Sequence, residues 1–208
     1  SADLAHELRT PVTNLIGATE ISLSYDHSVE EYRRVMESNL EELQRISSLI
    51  ENILFLSKTE NPQYEVKKSH LHLYNEIALV VEFYQALADE KNISVTVHGD
   101  ADINANPDMV RRLISNLLSN AIKYCDVNGH IQITIENHAA DISITFQDDG
   151  PGIAKENIPK IFDRFYRTDS ARSQQVSGVG LGLSIVKSIA EIHHGSVVLD
   201  SDIGRGVR

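Results

Sequence analysis

The chain has 208 residues, 41% of them hydrophobic, and a formal net charge of -11, with a mean hydropathy of -0.21. That is enough chain for one large domain or two small ones, with the balance of a globular rather than a disordered protein. The acidic excess argues against a nucleic-acid partner, which needs clustered Lys and Arg, and no apolar run of about 18 residues is present to span a membrane.

The first ten residues, "SADLAHELRT", carry charges where a signal peptide has its apolar core. A single cysteine, Cys125, excludes an internal disulfide or a multi-cysteine zinc site and suits a reducing cytosol. The acidic excess is uneven: residues 1–62 carry 5 basic and 11 acidic side chains, and residues 63–208 carry 14 and 19. Local cations in the second part can therefore still hold a small anionic ligand.

Residues 1–62 read as helix, turn, helix. Leu4, Leu8, Val12 and Leu15 form a helical stripe, which lapses at "SYDHS". Ser28 and Glu31 then make an S-x-x-E capping box. A longer helix follows, with Tyr32, Val35, Met36, Leu40, Leu43, Ile46, Ile50, Ile53 and Leu56 on one broad face. "NPQ" at 61–63 stops it, because proline cannot continue the hydrogen-bond ladder. About sixty residues in two helices bury too little surface alone. The hairpin is expected to form a homodimeric four-helix bundle through 1–62; the alternative is that both helices pack on the second part.

From Ser69 the pattern is mixed. "ISVTVH" (93–98), "HIQITIEN" (130–137), "DISITFQD" (141–148) and "SVVLDS" (196–201) alternate as half-buried strands. Helices are predicted at about 73–90, 107–124 and 181–193. The order predicts an α/β two-layer sandwich over 63–208, with Ile131, Ile133, Ile135, Ile142, Ile144 and Phe146 facing the helices.

Three stretches carry candidate chemistry. In "PDMVRRLISNLLSNAIKY", Val110, Ile114, Leu117, Leu118 and Ala121 form an apolar face, with Arg112, Asn116, Asn120 and Lys123 opposite. That polar stripe is either a solvated surface or a pair of amide oxygens for a hard cation such as Mg²⁺. "DDGPGI" (148–153) closes a strand; it is a plain turn or an acid placed to accept from an exocyclic amine. "GVGLGL" puts Gly178, Gly180 and Gly182 just before an apolar helix, whose backbone N–H groups attract phosphate. Between the last two lies "IFDRFYRTDSARSQQVS", with Phe162 and Phe165 as anchors, Arg164, Arg167 and Arg172 within reach of phosphate, and a lid at 169–177.

Taken in order, these stretches resemble the catalytic core of a sensor histidine kinase of a two-component system, over essentially the whole chain. "HELRTP" resembles the H-box, "NLLSNAIKY" the N-box, "DDGPGI" the G1 box, "IFDRFYR" the F-box and "GVGLGL" the G2 box. "SADLAHELRTPVTNL" and "SNLEELQRISSLIENILFLSKTE" further resemble the heavy-metal-sensing subgroup. The resemblance implies a GHKL-type (Bergerat) ATP-binding fold after the hairpin, with ATP and Mg²⁺ as cofactors and a response-regulator receiver domain as partner.

By the same resemblance His6 is the phosphate acceptor, Glu7 its base, Thr10 the residue that positions water for dephosphorylating the partner, and Pro11 a kink. Asn116 and Asn120 would hold Mg²⁺ with the triphosphate. Lys123 and Arg164 would contact phosphates, Tyr124 would pack on adenine and Asp148 would accept its amine hydrogen. Gly150, Gly152, Gly178, Gly180, Leu181 and Gly182 would shape the pocket and lid. The family continues past "GRG" into another strand, so the sheet's edge is expected to be incomplete at "GRGVR". It also places a sensor and membrane spans before this core, which implies a cytoplasmic fragment of a bacterial inner-membrane protein. Two competing readings stand beside this one: an ATPase of the same fold driving a clamp, and a non-catalytic dimerisation module.

Overall fold

The computed structural model describes residues 2–61, 63–168 and 178–208; Pro62 and the proposed lid at 169–177, including Arg172, lie outside them. The chain divides into two compact units, Ser1–Lys58 and Thr59–Arg208.

The first unit is built from α1 (Ala2–Ser24) and α2 (Val29–Thr59), which runs to its boundary. α1 continues without a break through Pro11, although proline offers no N–H to the carbonyl of Glu7. α2 starts as its capping box requires. Ser28 donates to Glu31 Oε2 from both N and Oγ at 2.8 Å, and Glu31 N donates back to Ser28 Oγ at 3.3 Å. These bonds hold the Glu31 carboxyl below its ordinary pKa. Asn39 Nδ2 reaches Thr19 Oγ1 at 3.4 Å, which ties the two helices together. The single broad apolar face predicted for α2 divides in two. Leu49 and Leu56 are buried, whereas Met36, Leu40, Leu43, Ile50 and Leu54 stay exposed along another stripe.

The second unit contains β1 (Ser69–His72), α3 (Leu73–Glu90), β2 (Ser94–His98), β3 (Asp102–Ala105), α4 (Pro107–Tyr124), β4 (His130–Asn137), β5 (Ile142–Asp148), a 3-10 turn at Ile158–Lys160 and α5 (Gly182–Ile192). β2 pairs parallel with β4, which pairs antiparallel with β5; β1 and β3 form a separate antiparallel ladder. Ile131, Ile133 and Ile135 are buried in the core with Leu73, Ile77, Ile114 and Leu118, and Ile142, Ile144 and Phe146 pack against it. The α/β sandwich is as expected, with the helices covering one apolar face of the sheet.

Two strand assignments differ from the sequence reading. Residues 196–201 do not form a named strand: Ser201 makes an isolated bridge to Val207, and Asp200 exchanges backbone bonds with Arg208 at 2.7 and 2.8 Å. Alternation is only half of a strand, and the other half is a partner of matching length. Conversely, β1 and β3 went unpredicted, because four residues rich in His, Asp and Asn carry no β-propensity signal. Val207 also bridges Asp148, so the terminal residues extend the ladder at the end of β5.

Candidate functional site

α4 is the platform of the site in the second unit. Asn106 caps it, its Oδ1 accepting from Met109 N at 3.0 Å, and Pro107 occupies the first turn. Val110, Ile114, Leu118 and Ala121 bury one face as read from the sequence, joined by Met109 and Ile122; Leu117 is only half-buried. Asn116 and Asn120 are half-buried on the other side. Asn116 Nδ2 donates to the carbonyl of Arg112 at 2.7 Å, which leaves its oxygen as the outward end of the amide.

The glycine loop comes down onto that amide pair. A Cβ on Gly182, the first residue of α5, would lie 3.0 Å from Asn116 Oδ1 and 3.6 Å from Asn120 Nδ2. A Cβ on Gly178 would lie 2.8 Å from Lys123 Nζ. At Gly180 (φ +77°) the same atom would meet Tyr166 O at 2.7 Å, and Gly180 O accepts from Phe165 N at 2.9 Å. The loop therefore seats against α4 on one side and the "IFDRFYR" segment on the other. Gly180 is needed for its backbone conformation as well as for space. Leu181 does not line an open surface: only 3% of it is exposed, and its carbonyl accepts from Ile185 N at 3.0 Å and Ser184 Oγ at 2.8 Å. It anchors the loop from beneath.

β5 brings Asp148 to the C-terminal end of α4, beside Tyr124 and Cys125. Its Oδ1 accepts from Gly150 N at 3.0 Å and Val207 N at 3.3 Å. Burial raises its carboxyl pKa, an effect opposed by these two backbone donors. A Cβ on Gly150 would stand 3.0 Å from Asp148 Oδ1 and 3.2 Å from Tyr124 O, so the turn lies close against the helix end. At Gly152 (φ +74°) it would collide with Asp202 O at 2.0 Å. Tyr124 is half-buried, its phenol pKa raised by that burial, and Lys123 Nζ sits 5.1 Å from its ring centroid.

Arg164 is engaged differently from the expectation: its guanidinium is ion-paired with Glu60. Reaching a phosphate requires exchanging that exposed carboxylate for another anion, and surface pairs are weak enough for such exchange. Arg167 acts on Tyr124, lowering its phenol pKa slightly against the larger effect of burial.

The sequence reading missed what holds the turn in place. Asp149 Oδ1 accepts from Cys125 Sγ at 2.9 Å and from His130 N at 3.0 Å, and its Oδ2 lies 3.1 Å from His130 Nδ1. One carboxylate thus binds the start of β4, the end of β5 and the residue after α4. The Cys125 bond first, and then those from His130, lower its pKa to about 2; burial beside this carboxylate pushes the Cys125 thiol up to about 12. Cys125 is therefore a structural donor, not a nucleophile. Nothing local in "DDG" distinguishes the second acid from a solvated turn residue.

Because the Asp149 pKa is depressed on folding, its stabilisation is present above the ordinary carboxylate value of 3.8 and is lost as pH falls toward about 2. Solvent screening of this half-exposed side chain limits the contribution to about 1 kcal/mol. Urea midpoints of the parent and Asp149→Asn should therefore differ at pH 7 and converge as pH approaches 2.

His6, Glu7 and Thr10 belong to the first unit. His6 is exposed and Glu7 half-buried. Thr10 Oγ1 donates to the His6 carbonyl at 3.4 Å, which places its hydroxyl on the side of the helix that carries His6.

Comparison with known proteins gives a consistent set of relatives. Residues 1–62 match the His Kinase A (phospho-acceptor) domain, and residues 105–208 match the histidine kinase-, DNA gyrase B-, and HSP90-like ATPase family. The chain is 42% identical over 209 aligned residues to sensor histidine kinase CusS of Escherichia coli K12, covering 100% of this chain and 43% of that protein. It is 38% identical to sensor protein CzcS of Cupriavidus metallidurans, covering 94% of this chain and 41% of that protein. The chain thus spans less than half the length of these curated relatives. Among solved structures, Acinetobacter baumannii histidine kinase AdeS shares the fold with a TM-score of 0.79 at 22% identity, over 97% of this chain and 94% of that one. Histidine kinase ThkA, solved in complex with response regulator protein TrrA, aligns with a TM-score of 0.77 at 25% identity, over 99% of this chain and 58% of that one.

Proposed function

Because the chain belongs to the histidine kinases, carrying both their phospho-acceptor domain and their ATPase domain, we propose that it transfers the γ-phosphoryl group of ATP to His6 and then to an aspartate of a response regulator. The observation that carries this reading is the seating of the glycine loop on α4. Gly182 lies against Asn116 and Asn120, and Gly178 against Lys123, so two amides, an ammonium and a helix N-terminus converge. The Asn116 oxygen, joined by that of Asn120 when its amide turns over, suits a magnesium-bound triphosphate beside an ammonium and backbone N–H groups.

In this reading residues 1–62 form the dimerisation and phosphotransfer hairpin, and 63–208 form the ATP-binding domain. Asp148 accepts the adenine amine hydrogen, Tyr124 packs on the base, and Lys123 and Arg164 neutralise phosphate charge. Gly150, Gly152, Gly178, Gly180 and Gly182 keep the backbone close, with Leu181 as the anchor beneath. Asn116 and Asn120 would hold Mg²⁺, which would supply charge neutralisation at the phosphates. Phosphoryl transfer needs mainly positioning and charge stabilisation, so the chain's own chemical contribution is the His6 imidazole, with Glu7 as its base.

The likeness to a kinase solved with its response regulator supports that class of partner, and Thr10 then serves a phosphatase reaction on it. Relatives such as CusS and CzcS support membership of the heavy-metal-sensing subgroup. No described helix is long and apolar enough to cross a membrane. Use of ATP and of a receiver domain, as proposed, supports a cytoplasmic location for this region within a bacterial inner-membrane protein. Incubation with γ-labelled ATP and Mg²⁺ tests the reading: the protein should acquire label that is stable to base and lost in acid. Label that survives acid, or none, would refute it.

Dimerisation rests on the exposed stripe of α2. Met36, Leu40, Leu43, Ile50 and Leu54 lie on the surface at spacings of a coiled-coil seam, and so large an apolar face calls for a partner. Sedimentation equilibrium should show a dimer, weakened by about 100-fold or more in Leu43→Glu or Ile50→Glu, the scale of burying an unpaired charge. A monomeric parent would count against it.

A further inference from the structure

We propose that His70, His72 and Asp102 form a binding site for a late first-row divalent metal ion, with Zn²⁺ as its probe. His70 and His72 are two residues apart on β1, so alternation puts both imidazoles on one face, while Leu71 between them is buried. Asp102 stands directly opposite His72 in the antiparallel register, and Asn104 opposite His70.

Asp102 Oδ1 lies 2.6 Å from His72 Nδ1, and its Oδ2 lies 3.7 Å from His70 Nε2. The two rings meet edge to face with centroids 5.6 Å apart, and the three ligand atoms all lie within 4.8 Å of one another. Tetrahedral bonds of about 2.0–2.2 Å place ligand atoms roughly 3.3–3.6 Å apart. Binding would widen the 2.6 Å Asp102–His72 contact and draw the longer separations in by about an ångström, shifts on the scale of a side-chain rotation. A water, or the amide of Asn104, completes four-fold coordination.

The donor set selects the ion. Two imidazoles and one carboxylate suit Zn²⁺, Cu²⁺ or Ni²⁺, whereas Mg²⁺ and Ca²⁺ prefer all-oxygen shells. A simple surface ion pair needs one histidine beside the acid; the second, two residues along the same strand face, adds a chelate. His72 is also the residue preceding α3, and its side chain makes no capping bond there, so helix initiation does not account for it. The nearby Asp100 is occupied by Tyr74 N at 3.2 Å and Ala101 N at 2.8 Å. A bound ion would clamp β1, which enters α3, to β3, which leads into α4 through Asn106. Binding to the folded state alone raises its stability by linkage.

The test uses the whole chain, stripped with EDTA and titrated with ZnCl₂ in the absence of nucleotide. Calorimetry should show a saturable site binding one Zn²⁺ per chain, and the melting temperature should rise with Zn²⁺. His70→Gln/His72→Gln and, separately, Asp102→Asn should weaken that binding by on the order of 100-fold or more and remove the thermal shift. His194→Gln should retain both. These exposed substitutions should leave the metal-free circular dichroism unchanged. Zn²⁺ binding of undiminished affinity in the double variant, or no saturable binding by the parent, would overturn the proposal. ATP affinity without Zn²⁺ should be the same in parent and variants, which separates this site from the nucleotide reading.

Discussion

His6→Gln is expected to take up no label from γ-labelled ATP while binding ATP as tightly as the parent. A phosphoramidate bond requires an imidazole nitrogen with an available lone pair, and the glutamine amide has none of comparable nucleophilicity. His6 is exposed on α1 in the Ser1–Lys58 unit, whereas the residues proposed to hold nucleotide lie in Thr59–Arg208. Losing the acceptor should therefore leave the binding isotherm unchanged. Thr10→Ala should separate the two activities. Its hydroxyl is neither nucleophile nor base, so autophosphorylation should continue. Dephosphorylation of a phosphorylated receiver domain should slow by about 10–100-fold, the low end of what a positioned group contributes. The Thr10 bond to the His6 carbonyl is a weak 3.4 Å contact, easily exchanged for water. A Thr10→Ala protein that loses labelling but keeps full phosphatase activity would reverse the assigned roles.

Asp148→Asn and Asn120→Ala should each lose most ATP–Mg²⁺ affinity with the fold intact. Asp148 uses Oδ1 to receive two backbone N–H groups, from Gly150 and Val207. Asparagine can keep its oxygen there, and its NH₂ then replaces the second acceptor. The adenine amine would face a donor, and an unpaired polar group at such a site costs about 1–3 kcal/mol, or roughly 10–100-fold in affinity. Asn120→Ala removes an amide from the face on which the glycine loop rests without touching the buried face of α4. Calorimetry with ATP and Mg²⁺ measures both variants, and unfolding midpoints check the fold. Unchanged affinity in both would show the nucleotide site to be elsewhere.

Much of this arrangement was legible in the residue order. The apolar spacing of 107–124 marks α4, and alternation marks β4 and β5 to within a residue. Those signals are local, because a helix or strand face repeats within a few positions of chain. The candidate site was legible for the same reason: Asn116 and Asn120 share a helix face by their spacing alone, and the glycines precede an apolar helix. β1 and β3 were not legible. Their four-residue runs exist through mutual pairing across some thirty positions, which no property of either run announces. Residues 196–201 failed in the opposite sense, with alternation but only a short partner in 207–208.

The amino-acid order by itself determined the long helices, β2, β4 and β5, the buried face of α4 and the groups proposed to meet a nucleotide. Only the tertiary structure decided which groups touch. It placed Gly182 against Asn116, joined Arg164 to Glu60, set His70 and His72 beside Asp102, and gathered Cys125 and His130 around Asp149. Periodicity follows from backbone geometry that each segment carries within itself. A contact between distant residues depends on how the sheet and helices close around a shared core, and that closure is a property of the whole chain.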